Sequence, residues 1–244
     1  MADFTIEIAG YSFHIHSMFE STREYCKRYF TEKAPQLQIA VQPEELAFEQ
    51  GMLDLEAVEE GLRLRKFTEP FLERTAIQRS IAEYLFDWNV LMLHGSTVAV
   101  DGKGYLFTAK CGTGKSTHTR LWCQVFGERA VMVNDDKPFV KIESDGVWVC
   151  GSPWSGKHGL DTNITVPLAG ICILERGKEN TILPCDPDTA LPMLLHQSYC
   201  PLEEDKHTAF SSLVGRIAKR VPLWKMECNK EPSAALVSYA AMSK

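Results

Sequence analysis

The feature that most constrains the fold is the stretch T-A-K-C-G-T-G-K-S-T at residues 108–117, which ends in Gly114-Lys115-Ser116. A glycine-rich turn between a strand and a helix lets backbone N–H groups face an anion, and the positive end of the helix adds to the attraction. The stretch therefore predicts a phosphate-binding loop of a nucleotide site. In such a loop the lysine contacts the β- and γ-phosphates, and the serine hydroxyl is a ligand of Mg²⁺. The alternative is an ordinary strand-to-helix turn with a surface lysine. The usual pattern begins with glycine, where this chain has Ala109.

The residues before the loop restrict the topology. Residues 97–100 and 104–108 are apolar runs of strand length, and Asp101-Gly102, a dipeptide typical of tight hairpin turns, lies between them. Strands joined by so short a connection must be antiparallel. An ordinary parallel P-loop fold has no hairpin before its loop. We therefore expect an α/β fold with mixed, partly antiparallel sheets around the loop.

Length and composition bound the class of protein. A chain of 244 residues is one large domain, or one domain with a smaller appendage. The net charge of −6 argues against a nucleic-acid partner. No apolar run has the length of a membrane span, and the first residues lack the pattern of a secretory signal, so we expect a cytoplasmic protein without a membrane partner. The eight cysteines form no C-x-x-C pair, which leaves a zinc site with little support.

The chain is expected to divide at residues 68 and 69. Residues 1–68 predict a small α+β appendage that opens with two short strands, residues 4–9 and 11–16, and continues with a helix capped by Ser21 and Glu24. His14 and His16 share one face of the second strand, where a solvated or core pair is favoured over a metal site. Residues 69–244 predict the nucleotide-binding domain, which opens with an amphipathic helix over residues 70–88.

The rest of the chain alternates between strands and helices. Strands are expected at residues 90–94, 130–133, 139–142, 147–150, 166–175, 181–183 and 221–226. Helices are expected at residues 115–126, 186–196, 209–219 and 231–241, with Asp186 as the cap of the second.

An acidic pair follows one of these strands. Asp135-Asp136 stand directly after the apolar residues 130–133. A carboxylate in that place, opposite a phosphate loop, is the usual second anchor for Mg²⁺. With two carboxylates, one can orient the metal while the other accepts the proton of an attacking hydroxyl. The alternative is a plain turn, because Asn-Asp-Asp-Lys-Pro has turn composition.

His94 and Lys157 complete the candidate site. His94 precedes a glycine at the end of a predicted strand, and a neutral imidazole can hydrogen-bond a phosphate or a carboxylate. Lys157 lies in a polar loop, residues 154–159, and would supply charge to a transferring phosphoryl group. A structural histidine and a packing loop are the alternatives at these two positions.

The order of these motifs resembles the catalytic domain of the HPr serine kinase/phosphorylases, which share a nucleotide-binding core with phosphoenolpyruvate carboxykinases. The resemblance covers residues 91–174. It rests on His94-Gly95, the antiparallel strand pair, the loop C-G-T-G-K-S-T and the strand that ends in Asp135-Asp136. It implies a core in which hairpins precede the loop, with ATP and Mg²⁺ as cofactors. The nucleotide-binding residues it implies are Cys111, Gly112, Thr113, Gly114, Lys115, Ser116 and Thr117.

The resemblance also implies roles for single residues. Lys115 and Ser116 would bind ATP and Mg²⁺, Asp135 would be the general base for a serine hydroxyl, and Asp136 and His94 would support it. The residues themselves add Asp136 to Ser116 as an expected metal ligand, and Lys157 to Asp135, His94 and Lys115 as an expected catalytic residue. The acceptor would be a hydroxyl on a protein, a peptide or a small molecule. Because the related kinases assemble, the resemblance hints at a homo-oligomer.

The chain departs from the family in two ways. Ala109 replaces the first loop glycine, and the E-I-R-G-x-G signature, associated in the family with phosphatase/phosphorylase activity, has no counterpart. We therefore expect an ATP-dependent kinase related to HPr kinase rather than HPr kinase itself. Two other functions stay open: a nucleotide-binding regulator without transferase activity, and a carboxykinase-type enzyme, for which the chain is short.

Overall fold

A computed structural model describes residues 1–59 and 61–244 of the chain. The chain forms two compact units, Met1–Tyr84 and Leu85–Lys244. The first unit contains most of the helix Glu69–Phe86, and the domain boundary expected between residues 68 and 69 stays a prediction. In the described part of the chain, no helix combines the length and the apolar character that a membrane crossing needs.

The first unit is built on a three-stranded sheet. Its strands are β1 (Ala2–Ile8), β2 (Tyr11–Ser17) and β3 (Leu37–Ala40), and its helices are α1 (Glu20–Cys26), α2 (Pro43–Glu59) and most of α3 (Glu69–Phe86). β1 and β2 form the predicted antiparallel hairpin, and β3 runs parallel to β2. Ala9 and Gly10 form the turn between β1 and β2 with φ of 54° and 87°, the positive values that a two-residue hairpin turn of this kind requires.

The predicted cap of the first helix is wrong. α1 begins at Glu20, and Phe19 at its N-cap provides no side-chain hydrogen bond. The polar groups just before α1 instead meet Glu73 of α3, which is buried. The carboxylate of Glu73 accepts hydrogen bonds from the Ser17 hydroxyl (3.0 Å) and the Met18 N–H (2.5 Å). The buried carboxylate is therefore satisfied by donors from the segment that leads into α1.

The second unit contains the other elements. Its strands are β4 (Val90–Met92), β5 (Ser96–Val100), β6 (Lys103–Thr108), β7 (Ala130–Asn134), β8 (Phe139–Ile142), β9 (Val147–Cys150), β10 (Thr165–Arg176), β11 (Thr181–Pro184) and β12 (Leu223–Cys228). Its helices are α4 (Lys115–Phe126), α5 (Pro187–His196), α6 (His207–Arg220) and α7 (Ser233–Met242). Asp186 caps α5 as predicted, because its side chain accepts the Thr189 N–H.

The strands form a mixed sheet, which confirms the predicted α/β class. The order is β4-β8-β9-β10-β6-β5-β7, with β12 beside β10 and β11 beside β12. The long strand β10 pairs antiparallel with β9 near its start and parallel with β6 and β12 further on. β5 and β6 form the predicted hairpin, with φ of 51° at Asp101 and 78° at Gly102.

Helices cover both faces of the central strands. Alternate residues of β6 enter two separate apolar clusters, Leu106 in one and Tyr105 and Phe107 in the other. α5 and α6 complete the first cluster, and α4 and α7 complete the second. Burial on both faces explains why β5 and β6 read as continuous apolar runs in the sequence.

The directions of the strands bring several ends to one edge. β5 is antiparallel to both β6 and β7, so these two strands run the same way, and β10 is parallel to β6. The carboxyl ends of β6, β7 and β10 therefore meet at the edge where β5 begins. The phosphate-loop stretch, the acidic pair and the residues just after His94 all start from this edge.

Candidate functional site

The stretch after β6 has the backbone geometry of an anion-binding turn. Gly112 and Gly114 have φ of 72° and 124°, values that other residues adopt only with strain. α4 starts at Lys115 with Gly114 as its N-cap, so no side chain caps the helix. The first N–H groups of a helix have no partner within the helix. The two glycines thus turn the chain so that uncapped N–H groups stand at the start of α4.

Ala109 fits the position where the usual pattern has glycine. It is fully buried and packs in the apolar cluster with Phe107 and Trp122. Among the described residues, the non-glycine positions with positive φ are Ala9, Asn89 and Asp101, so Ala109 has ordinary backbone geometry. Its carbonyl oxygen accepts a hydrogen bond from Lys115 Nζ at 3.0 Å, which spans the two ends of the loop. The alanine is therefore part of the core rather than a defect of the loop.

We expect Ala109→Gly to lower the stability of the protein without improving the loop. The substitution removes a buried methyl group and adds backbone freedom to the unfolded chain, which together cost about 1.5 kcal/mol of unfolding free energy. Urea unfolding of both proteins measures this difference, and a nucleotide titration tests the loop. A gain in nucleotide affinity in the variant would contradict this assignment of Ala109 to the core.

The two carboxylates after β7 lie in different surroundings. Asp135 is 6% exposed, and its Oδ1 accepts a hydrogen bond from Ser96 Oγ at 2.7 Å. Ser96 Oγ in turn lies 2.6 Å from Thr119 Oγ1. Thr119 follows Ser116 by three residues on α4, so these two side chains share a helix face. Asp135 is therefore linked through two hydroxyl groups to the helix face that carries Ser116.

Asp136 lies on a more open side of the strand end. Its side chain is 34% exposed, and its Oδ1 is 3.4 Å from His94 Nε2. Its carbonyl oxygen accepts the Gly95 N–H at 2.9 Å, and its own N–H donates to Asn134 Oδ1 at 2.8 Å. A Cβ atom on Gly156 would lie 3.4 Å from Asp136 Cβ, so the Gly156 turn packs directly against this residue.

His94 is neutral at physiological pH. Burial, together with the positive charges of Lys137 and Lys115 and the neighbouring His196, lowers its pKa from 6.5 to about 2. A carboxylate only accepts hydrogen bonds, so the imidazole donates Nε2–H toward Asp136. The His94 N–H also donates to the Gln197 carbonyl at 2.6 Å, and its carbonyl accepts the Thr108 hydroxyl at 2.9 Å. The backbone of His94 is thus held at both its N–H and its carbonyl.

The low pKa of His94 predicts a loss of stability in acid. The pKa of the folded protein lies below the unfolded value of 6.5, so the unfolded chain binds an extra proton between pH 6.5 and about pH 2. Stability therefore falls as the pH drops below 6.5, by up to about 1.4 kcal/mol per pH unit from this one group. We expect His94→Gln to show a shallower fall over that range in urea unfolding. His158→Gln, at an exposed position, is the control and should keep the wild-type slope.

The loop that contains Lys157 is held against the end of β7. The Asn134 side-chain amide donates to the carbonyls of Ser152 (2.8 Å) and Trp154 (3.3 Å). The Lys137 N–H donates to the same Trp154 carbonyl at 3.1 Å. Lys157 itself is exposed on the turn Gly156–His158, which begins against Asp136. Buried Asn134 therefore connects the acidic pair to this loop.

The predicted site residues are largely brought together. Lys115, Ser116, Asp135, Asp136 and His94 lie around the one strand edge, while Cys111 and Gly112 are exposed at the tip of the loop. Thr113, Gly114 and Thr117 are partly exposed between the tip and the first turn of α4. The roles assigned to these residues stay predictions.

Sequence reasoning missed two residues of this edge. Arg176, the last residue of β10, donates from Nη2 to the Gly112 carbonyl at 2.5 Å and lies with Nε 3.5 Å from the Thr113 carbonyl. Ser96 is the buried partner of Asp135. A basic residue at the end of a long apolar strand was a signal for Arg176, but only the parallel pairing of β10 with β6 brings it to the loop.

Known proteins resemble this chain in structure but not detectably in sequence. No family model matches the chain, and no curated protein matches it in sequence. Among solved structures, the chain is similar to the Hpr(Ser) kinase/phosphatase from Coxiella burnetii, at 14% sequence identity and a TM-score of 0.35. The alignment covers 62% of this chain and 94% of that one. Similarity at this level does not identify a function.

Proposed function

We propose that the second unit binds ATP with Mg²⁺ and transfers the γ-phosphoryl group to a hydroxyl of a protein, a peptide or a small molecule. The observation that carries the proposal is the contrast between the two adjacent carboxylates. Asp135 is buried and linked to the helix that follows the loop, whereas Asp136 is more exposed and borders His94 and the Gly156 turn. In this proposal Asp135 acts at the nucleotide and its metal ion, and Asp136 acts at the hydroxyl that accepts the phosphoryl group.

The nucleotide side rests on the loop and on α4. The uncapped N–H groups at the start of α4 and the two glycine turns suit phosphate oxygens. The Lys115 ammonium donates to the Ala109 carbonyl oxygen, and a phosphate oxygen is a stronger acceptor than that carbonyl. We propose that Lys115 exchanges part of this contact for the β- and γ-phosphates when nucleotide binds.

The donor set suits Mg²⁺. The hydroxyl of Ser116 and the carboxylate of Asp135 are hard oxygen ligands, which Mg²⁺ prefers, and the remaining positions are those that waters and phosphates usually fill. When bound, Mg²⁺ neutralises charge on the β- and γ-phosphate oxygens. The family resemblance implies Asp135 as the base, and the sequence predicts Asp136 as a metal ligand. The burial of the two side chains favours the opposite division, and we adopt that division in this proposal.

Asp136 is then the general base. Its carboxylate takes the proton of the acceptor hydroxyl as the acceptor oxygen forms its bond to the γ-phosphorus and the bond to the β–γ bridging oxygen breaks, which releases ADP. Neutral His94 donates Nε2–H toward this carboxylate and so orients it. Exposed Lys157, on the turn beside Asp136, adds positive charge near the transferred group.

The proposal is tested in two stages. Equilibrium binding of ATP and ADP, with Mg²⁺ and with EDTA, tests the nucleotide site. Incubation with ATP, Mg²⁺ and a screen of serine peptides, proteins and small alcohols then tests transfer, with acceptor-dependent release of ADP as the readout. Absence of Mg²⁺-dependent nucleotide binding would overturn the proposal. Tight binding without ADP release on any acceptor would favour a nucleotide-binding regulator instead.

A further inference from the structure

We propose that the outer face of the β1–β2 hairpin, in the first unit, holds a divalent transition-metal ion such as Zn²⁺ with Asp3, His14 and His16 as ligands. In the register of the hairpin, Asp3 lies opposite His16, and Thr5 lies opposite His14. Alternation along the strands puts these four side chains on one face. The site is separate from the proposed nucleotide site and does not depend on it.

The opposite face of the hairpin gives the site a fixed base. Phe4, Ile6, Phe13 and Ile15 are buried on that side, with Ile6, Phe13 and Ile15 fully so. β3 adds a third strand beside β2. Because the backbone of both ligand strands is held by this core and by a two-residue turn, the ligands are attached to rigid elements, as a metal site requires.

The donor atoms of the three ligands are close enough to share one ion. One ligand atom from each residue lies within 4.8 Å of the other two. His14 Nε2 is 3.9 Å from Asp3 Oδ1, and His16 Nδ1 contacts the same oxygen directly. In a tetrahedral Zn²⁺ site with bonds of about 2.0–2.1 Å, donor atoms stand about 3.4 Å apart. Of the three donor pairs, the two that involve His14 must therefore close and the Asp3–His16 pair must open, which rotations of the exposed Asp3 and His16 side chains allow.

Thr5 orients one of the ligands. Its hydroxyl is 3.0 Å from His14 Nδ1, so the other ring nitrogen, Nε2, is the one that faces Asp3. A ligand histidine usually hydrogen-bonds through its second nitrogen, which fixes both the tautomer and the ring. With Nδ1–H donating to Thr5, Nε2 keeps its lone pair for the metal. This contact distinguishes the cluster from two histidines that are merely solvated.

The composition of the site selects the class of ion. Two imidazole nitrogens and one carboxylate oxygen suit Zn²⁺, Ni²⁺ and Cu²⁺ better than Mg²⁺ or Ca²⁺, which prefer oxygen alone. The side chains of Asp3 and His16 are 65% and 47% exposed, so solvent reaches the ion. Three protein ligands leave a fourth position for water or an outside donor. The rival explanation is a simple Asp3–His16 ion pair with no metal.

The test is a Zn²⁺ titration of the metal-stripped full chain by calorimetry, with NMR of the histidine Cε1–H signals. We expect one Zn²⁺ per chain at this site, with shifts of the His14 and His16 signals and none of His158. His14→Gln, His16→Gln and Asp3→Asn should each weaken this binding at least tenfold, and Thr5→Val by up to about tenfold. His158→Gln, an exposed histidine of the second unit, is the matched control and should leave the affinity unchanged.

Two outcomes would overturn the proposal. If Zn²⁺ leaves the His14 and His16 signals in place, the cluster is an aspartate–histidine pair only. If the hairpin variants bind Zn²⁺ as tightly as the wild type, the ion is held elsewhere in the chain. Circular dichroism of each variant checks that it is folded, and the NMR shifts identify the binding residues in the unmodified protein.

Discussion

Lys115→Met is expected to weaken ATP binding by about tenfold to hundredfold, because it removes the one buried ammonium group of the loop, and a hydrogen bond to a charged group is worth about 1.5–3 kcal/mol. Methionine keeps the length and apolar stem of the side chain, which is only 8% exposed. Isothermal titration with ATP and Mg²⁺ measures the change. Phosphoryl transfer should be lost in the same variant.

The matched control for this experiment is Lys103→Met. Lys103 is exposed at the start of β6, the strand that leads to the loop, so it tests the loss of a positive charge at the other end of the same strand. Its affinity for ATP should stay at the wild-type value. Equal affinities for wild type and Lys115→Met would remove the phosphate-binding assignment of the loop altogether, and with it the proposed function.

The elements of the fold were largely predictable because their signals are local. The Asp101-Gly102 turn, the apolar runs on either side of it and the Asp186 cap each depend on a few neighbouring residues, and each appears where expected. β6 and β10 are buried on both faces, so each appears in the sequence as a continuous apolar run that indicates a strand. The pairing of hairpin strands is also predictable, because two strands joined by a two-residue turn must lie side by side and antiparallel.

Long-range contacts were not predictable in the same way. Glu73 looks like a surface residue on a helical pattern, yet it is buried because donors from Ser17 and Met18, more than fifty residues earlier, converge on it. β10 joins antiparallel and parallel neighbours along one strand, which no local pattern encodes. The contact of Arg176 with the loop follows from that pairing.

The candidate site combines both kinds of information. Motif order was enough to select the loop, the acidic pair and His94, since each follows or precedes a recognisable strand. The surroundings that distinguish Asp135 from Asp136 come from Ser96, Thr119 and Gly156, which carry no motif. Two adjacent carboxylates with the same side chain cannot be given different roles until their neighbours are known.

These surroundings lead to a prediction that separates the two carboxylates. Asp136→Asn should lower the rate of phosphoryl transfer by about 10²–10⁴-fold, the usual contribution of a general base, and leave the affinity for ATP with Mg²⁺ unchanged. Asp135→Asn should weaken ATP binding in Mg²⁺ but not in EDTA, because the lost carboxylate serves the metal. Asparagine retains an oxygen that can accept the Ser96 hydrogen bond, so that contact is kept in the variant.

The two variants serve as controls for each other, and Asp145→Asn, at the exposed turn between β8 and β9, controls for the loss of one negative charge. Single-turnover measurements at saturating ATP give the transfer rate, and titrations with and without Mg²⁺ give the affinities. In the reverse pattern, Asp135→Asn would slow phosphoryl transfer and leave ATP affinity unchanged. That result would identify Asp135 as the general base, as the family resemblance implies. Equal losses in both properties for both variants would mean that the pair acts as one unit at the metal, and that the acceptor proton goes to another group.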